Sequence, residues 1–268
     1  MSNLRLCLNL GNTSIQWGVW EAESGWVAEG RVAAGAPERT WPELAGLLRE
    51  AGLREGLAAE APVVASRSDA DLWLGSGALF LERSLPLLGC DFRAEIPTQY
   101  HDPTELGQDR VANIVAARAE DLYPCLILDA GTCLTADVLD MDGLHLGGAI
   151  AAGGPALLAG VLGRAPHLAT AAEKAPDMTD SPEWGRSTEE NLALGWEIGL
   201  VGIAEALAVR YWEMTDSGGD VILTGGDAEF LVERLMEPAL VRPLLTLEGL
   251  RLAYEGREHG GQTPFRDG

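Results

Sequence analysis

The sequence predicts an α/β protein built from two related halves that face a cleft. Three observations carry that reading. Apolar runs of strand length alternate with stretches of helical spacing along the 268 residues. A strand–turn–strand unit with Asn9-Leu10-Gly11-Asn12-Thr13 at its turn returns past the middle as Asp129-Ala130-Gly131-Thr132. A chain of this length is one large domain or two of about half its size. The expected halves are residues 1–118 and 119–268.

The elements follow in order. Residues 4–10 form an apolar run, 11–14 a turn, and 15–20 and 25–32 two further strands. Both turns are short, which makes the opening an antiparallel meander. Leu44, Leu47 and Leu48 give 41–51 a helical period. A short strand over 62–65 precedes a mixed, mostly helical stretch over 70–88. Residues 93–100 are extended, and 106–122 form a helix. The opening then repeats, with strands over 125–129, 134–139 and 143–150. Gly153-Gly154-Pro155 turns the chain into a helix over 156–162. Residues 169–185 carry Pro176 and Pro182 and read as a mobile loop. A long helix over 188–214 starts at Ser187 or Thr188, with Glu190 in its first turn. A buried strand over 221–223, two short helices and a polar tail from residue 255 complete the chain.

Composition narrows the chemistry. Apolar residues make up 47% of the chain, enough for a sizeable core, and the net charge is −22. With its arginines scattered, so acidic a chain is a poor partner for nucleic acid or an anionic membrane. Lys174 is the sole lysine among the 19 cationic residues. That excludes a P-loop, which needs Gly-Lys-Ser/Thr, and a protein kinase, which needs a strand lysine. Phosphate handling would fall to backbone N–H groups, arginines or metal ions. Cys7, Cys90, Cys125 and Cys133 form no C-x-x-C and read as buried free thiols in a reducing compartment. No uninterrupted apolar run reaches the roughly 18 residues of a membrane span, and polar residues break the first apolar stretch. A cytoplasmic protein is expected.

Four segments carry the chemistry. The Asn9–Thr13 and Asp129–Thr132 turns place a carboxylate or amide at a strand end before a glycine and a hydroxyl. Such a turn offers N–H groups to phosphate oxygens, and a carboxylate offers a cation site; an ordinary hairpin explains either copy alone. In the third segment, Gly107 opens a helix whose first turn holds Asp109 and Arg110. The helix dipole accounts for Asp109 there but not for Arg110. The pair suits a substrate with one hydroxyl to activate and one anion to grip. Thr224-Gly225-Gly226-Asp227 ends a strand on two glycines and suits a nucleoside, or a plain strand–helix turn. Gly143, Gly147, Gly148, Gly153 and Gly154 fit hairpin geometry or close packing beside a site. The eight tryptophans read as core and interface.

Taken in order, these segments resemble the type III pantothenate kinases, members of the superfamily of acetate and sugar kinases, heat-shock chaperones and actin. Asn9–Thr13 is similar to the family's first phosphate loop. Glu105-Leu106-Gly107-Gln108-Asp109-Arg110 with Asn113 resembles its substrate motif, and Asp129–Thr132 with Thr135 and Asp137 its second phosphate motif. Gly147–Ile150, Thr224–Ala228 and Leu247–Leu250 also fit. The resemblance implies two duplicated actin-like (ribonuclease H-like) domains flanking a nucleotide cleft. It implies transfer of phosphate from ATP, carried with Mg²⁺, to pantothenate, giving 4′-phosphopantothenate in the first step of coenzyme A synthesis. By position, Asn9, Leu10, Gly11, Asn12, Thr13, Ser14, Ile15 and Gln16 would line the phosphates, with Thr132. Tyr100, Gly107, Gln108, Asp109, Arg110 and Thr188 would bind pantothenate, with Asp109 as base. Asp129 would hold a monovalent cation, K⁺ or NH₄⁺, and a homodimer would complete the site. Three residues depart from the pattern: Asn9 stands for aspartate, Cys133 for alanine and Ala152 for proline. A non-catalytic nucleotide- or pantothenate-binding paralogue and a kinase for another small hydroxy acid are the alternatives.

Overall fold

A computed structural model of the chain describes residues 4–175, 181–215, 219–236 and 238–257. The chain forms two compact units. One runs to Asp121 and resumes at Leu244; the other spans Leu122–Pro243.

In the first unit, β1 (Arg5–Leu10), β2 (Ser14–Glu21) and β3 (Gly25–Ala33) form the expected antiparallel meander, and β4 (Val63–Ala65) pairs parallel with β1. The strand order is β3-β2-β1-β4. Alternation along β1 feeds two cores. Leu6, Leu8 and Leu10 join Trp41, Leu44 and Trp73 of α1 (Pro37–Glu50) and α2 (Ala70–Leu81). Cys7 joins Ala112, Leu247, Leu250 and Tyr254 of α3 (Gln108–Ala119) and α8 (Leu245–Gly256). Helix α1 begins before the apolar period does, because Pro37 is preorganised for a first turn that is otherwise polar. Helix α2 stops short of the expected 88, at a Glu82 cap with φ 56°.

The second unit repeats the plan. Strands β5 (Cys125–Ala130), β6 (Cys133–Leu139) and β7 (His145–Ala152) are antiparallel, and β8 (Asp220–Gly225) lies parallel to β5. The order β7-β6-β5-β8 matches β3-β2-β1-β4, with β9 (Ala239–Val241) added at the edge. That short strand and α7 (Ala228–Val232) stand where the sequence suggests a helix alone. Helix α4 (Gly154–Arg164) follows β7, and α5 (Ala169–Ala172) occupies the start of the expected mobile loop. Residues 176–180 of that loop, and 258–268 of the polar tail, lie outside the described residues.

Helix α6 (Thr188–Met214) is capped as its sequence predicts: the Ser187 hydroxyl accepts the Glu190 N–H at 3.2 Å, and Glu190 accepts the Arg186 N–H at 2.6 Å. By length and composition it could cross a membrane, although charged residues interrupt its apolar sequence. Its Ala193, Leu200, Ala204, Ala208 and Tyr211 stripe is instead buried, and the last four of these pack with Leu126, Leu128 and Leu134 of the sheet. Ile198, Val209 and Met214 are exposed.

Two expectations need correction. Residues from Leu244 belong to the first unit, not to a half running from 119 to 268. The cause is close packing of α8 on α3: a Cβ at Gly249 would lie 1.7 Å from the Ala112 carbonyl oxygen, so the two backbones touch. The Thr246 hydroxyl also donates to the fully buried Asn113 at 2.8 Å. Both motif residues, Asn113 and Gly249, are thus packing devices here. The cysteines are all free, but only Cys7 and Cys125 are buried; Cys90 and Cys133 are exposed. Burial pushes the Cys7 and Cys125 thiols up to about 12.

Candidate active site

The first turn is tightly closed. The Gly11 N–H donates to the Ser14 carbonyl at 3.0 Å, and a Cβ at Gly11 would approach that oxygen to 2.9 Å. Asn12 and Thr13 are exposed at its tip. Leu10 and Ile15 are fully buried, so only their backbones can meet a ligand. Asn9 and Gln16 are cross-strand partners, and Gln16 is buried. The Asn9 Oδ1 atom is buried with no hydrogen-bond partner among the described residues. An unsatisfied acceptor costs stability unless something supplies a donor or a cation. A hydrogen bond from a water of a Mg²⁺ shell would satisfy it once the turn opens to admit that water.

At the start of α3, Gly107 is the N-cap and Asp109 folds back over it. Asp109 Oδ1 accepts the Arg110 N–H at 2.9 Å, and a Cβ at Gly107 would stand 2.7 Å from the same oxygen. A side chain at 107 would push the Asp109 carboxylate aside. Arg110 is 4% exposed, and its guanidinium lies 5.7 Å from the Tyr100 ring centroid. Tyr100, Asp109 and Arg110 are therefore one cluster, with Asp109 half-buried. Gln108 is different. It packs on Gly89, whose φ of +89° admits little but glycine, and lines a cavity of about 490 Å³ with Arg93, Glu95, Thr98 and Thr104.

In the second unit, several segments converge on the Ala130–Thr132 turn. A Cβ at Gly153 would lie 2.1 Å from the Gly131 carbonyl oxygen and 2.9 Å from that of Thr132. Gly225, at φ +93°, would place a Cβ 2.4 Å from the Ala130 oxygen and 2.6 Å from Asp129 Oδ1. The Asp227 N–H donates to the Ala130 carbonyl at 3.0 Å, and Asp227 Oδ2 lies against Gly154 at the start of α4. The result is a tightly packed backbone turn beside the start of α4, with no room for a side chain at Gly153 or Gly225. Sequence reasoning left Gly153, Gly225 and Asp227 undecided between site and turn. The register Asp129↔Thr224 and Ala130↔Gly225 brings Gly225 and Asp227 to the turn, and Cys133↔Ala152 brings Gly153.

Thr188 is exposed on the first turn of α6. Asp137 of the second motif is buried and paired with the buried His145 at 2.9 Å, a structural placement. Among the described residues no three His, Cys, Asp or Glu side chains cluster as metal ligands. A Mg²⁺ held mainly by phosphates and water suits such a site.

The sequence profile of the type III pantothenate kinase family matches residues 5–210. A type III pantothenate kinase of Thermomicrobium roseum is 31% identical over 93% of this chain and 96% of that protein. One of Halorhodospira halophila is 33% identical over 92% and 96%. Among solved structures, the activator of the 2-hydroxyisocaproyl-CoA dehydratase from Clostridium difficile, with bound ADPNP, shares the fold at a TM-score of 0.53. It is 16% identical, over 96% of this chain and 97% of that one.

Proposed function

The chain belongs to the type III pantothenate kinase family, with the two-domain actin-like fold, and from that premise we propose that it phosphorylates the terminal hydroxyl of pantothenate with ATP. The observation that carries the reading is the Asp109–Arg110–Tyr100 cluster at a glycine-capped helix start, within a chain that matches the family over residues 5–210. Asp109 accepts the proton of the attacking hydroxyl. Arg110 and Tyr100 hold the pantothenate carboxylate side, and Thr188 reaches the substrate. The two glycine turns hold the phosphates through backbone N–H groups. In-line phosphoryl transfer asks little covalent work of a protein, so positioning and charge supply most of the rate. Mg²⁺, when bound, would neutralise charge on the phosphates, and Asn9 would hold one of its waters. Asp129 holds a monovalent cation, K⁺ or NH₄⁺.

The exposed Ile198, Val209 and Met214 on α6 support a homodimer, which light scattering at micromolar concentration tests. A cytoplasmic location belongs to the same proposal. The test of function is ADP release with and without pantothenate. Release that requires pantothenate is expected. Asn9 in place of aspartate favours a second reading, a paralogue that binds ATP without transferring phosphate; ATP binding with no pantothenate response would establish it.

A further inference from the structure

The first phosphate turn is gripped by a side chain outside every motif above. Arg67 follows β4, and its Nη1 donates to the Gly11 carbonyl at 3.0 Å. Its other edge is bidentate to Asp69, with Nε to Oδ1 at 2.6 Å and Nη2 to Oδ2 at 3.0 Å. Its plane stacks on Trp73 at 4.2 Å from a ring centroid, and Trp73 is itself fixed by the buried Trp41, whose indole N–H donates to the Trp73 carbonyl. The guanidinium is thus held on a face and an edge before it touches the turn, and its side chain is 10% exposed.

The neighbouring groups act in the same direction. Asn12 Nδ2 donates to the Ser66 carbonyl at 3.2 Å, the Ser66 N–H to the Leu10 carbonyl at 3.2 Å, and the Ala34 N–H to the Thr13 carbonyl at 2.9 Å. The carbonyls of Leu10, Gly11, Thr13 and Ser14 are all drawn onto protein donors. That matters for an anion site, because a carbonyl turned toward a phosphate repels it. Of these four, the Gly11 carbonyl is held by a side chain and the other three by backbone N–H groups, and a glycine peptide released from that side chain can turn either way.

We propose that Arg67 is a positioning residue for nucleotide binding, pinning the Gly11 carbonyl so that the turn presents N–H groups to the phosphates. The proposal rests on the nucleotide reading of this turn given above. The guanidinium acts there through its hydrogen bond to the Gly11 carbonyl, its charge being balanced by Asp69. Arginine is required: one planar group binds a carboxylate, a carbonyl and an indole at once, which an ammonium cannot do.

The experiment is calorimetric titration of the full chain with ATP and Mg²⁺, beside the KM for pantothenate. Arg67→Gln weakens ATP by about tenfold to a hundredfold, the range of a lost charge-assisted hydrogen bond, and leaves the pantothenate KM within about twofold. Arg67→Lys keeps the charge and falls within a few-fold of Arg67→Gln. Asp69→Asn, an exposed change that loosens the guanidinium, weakens ATP by roughly threefold or more and is non-additive with Arg67→Gln. Folded Arg67→Gln protein with wild-type ATP affinity overturns the assignment. Should that variant not fold, unchanged affinity in Asp69→Asn overturns it instead. Wild-type protein that binds no ATP removes the nucleotide reading of the turn, and this assignment with it.

Discussion

Gly153→Ala is the sharpest perturbation of the second phosphate turn. Gly153 has φ −82° and ψ 179°, an extended conformation open to any residue, so alanine brings no backbone strain. The cost is steric. The new methyl would lie 2.1 Å from the Gly131 oxygen, roughly 1 Å or more short of van der Waals contact. Either the turn or the start of α4 must yield by about that distance. Overpacking of this kind costs about 1–3 kcal/mol, which lowers the melting temperature by roughly 2–12 °C in a chain of this size. A displacement of ~1 Å at a phosphate-binding turn weakens binding or turnover by up to a hundredfold. Gly160→Ala, on α4 with nothing within 4 Å of the added methyl, is the control and should stabilise by about 0.5–1 kcal/mol. Calorimetric ATP titration and thermal melts read both effects. A Gly153→Ala protein with wild-type ATP affinity would refute a phosphate role for this turn.

Asp109→Asn should lower turnover by about a hundredfold or more while ATP binding is kept; near wild-type turnover ends its role as base. Asn9→Asp should lower the Mg²⁺ concentration for half-maximal rate by roughly tenfold, and an unchanged Mg²⁺ dependence takes Asn9 out of the metal argument. Asp129→Ala should abolish any rate increase on replacing Na⁺ by K⁺ or NH₄⁺, and equal wild-type rates in the three salts count against the cation site. Exposed Cys90 and Cys133 should react with a thiol reagent in the native protein, while Cys7 and Cys125, with thiols pushed up to about 12, react only after unfolding. Since Cys133 adjoins Thr132, saturating ATP should slow its labelling and leave Cys90 unaffected.

The meander, its repeat and the long helices were legible because each rests on local signals: period-2 alternation, the Gly11 and Gly131 turns, and the Ser187–Glu190 cap. What escaped depends on contacts distant in sequence. Nothing near Leu245 says that its helix packs on α3; that follows from Gly249 meeting Ala112. Strand β9 has three residues and, among the described residues, pairs only with β8, too little for a periodic signal. At the site, Asp109 and Arg110 stood out because an arginine is unexpected at a helix start. Gly153 and Gly225 did not, because a glycine in a turn has an ordinary explanation until the opposing carbonyl is known. Arg67 was invisible for the same reason, since its meaning lies in Gly11, 56 residues away.

The two copies of the hairpin solve one problem with different chemistry. In each, the carbonyl that ends the first strand is taken by an N–H just past the parallel strand: Ser66 to Leu10 in one, Asp227 to Ala130 in the other. The duplication therefore extends beyond the hairpin to the fourth strand and its exit. At that exit the first copy carries Arg67 and the second Asp227. The first turn is held by side chains, Arg67 and Asn12, and has an amide, Asn9, at its strand end. The second is wedged by backbone, with Gly153 and Gly225 leaving no room for a methyl, and has a carboxylate, Asp129. A turn held by side chains can change its charge through single substitutions without moving its backbone. A turn wedged between glycines keeps its shape and resists substitution. The amide at Asn9 thus stands in the copy whose turn is gripped by Arg67, a guanidinium whose charge is balanced by Asp69. By that logic Asn9→Asp should cost more ATP affinity in an Arg67→Gln background than in wild type when Mg²⁺ is absent, because Asp69 is then left unbalanced and adds to the new charge. Equal costs in the two backgrounds would mean that the two residues do not share the phosphate site.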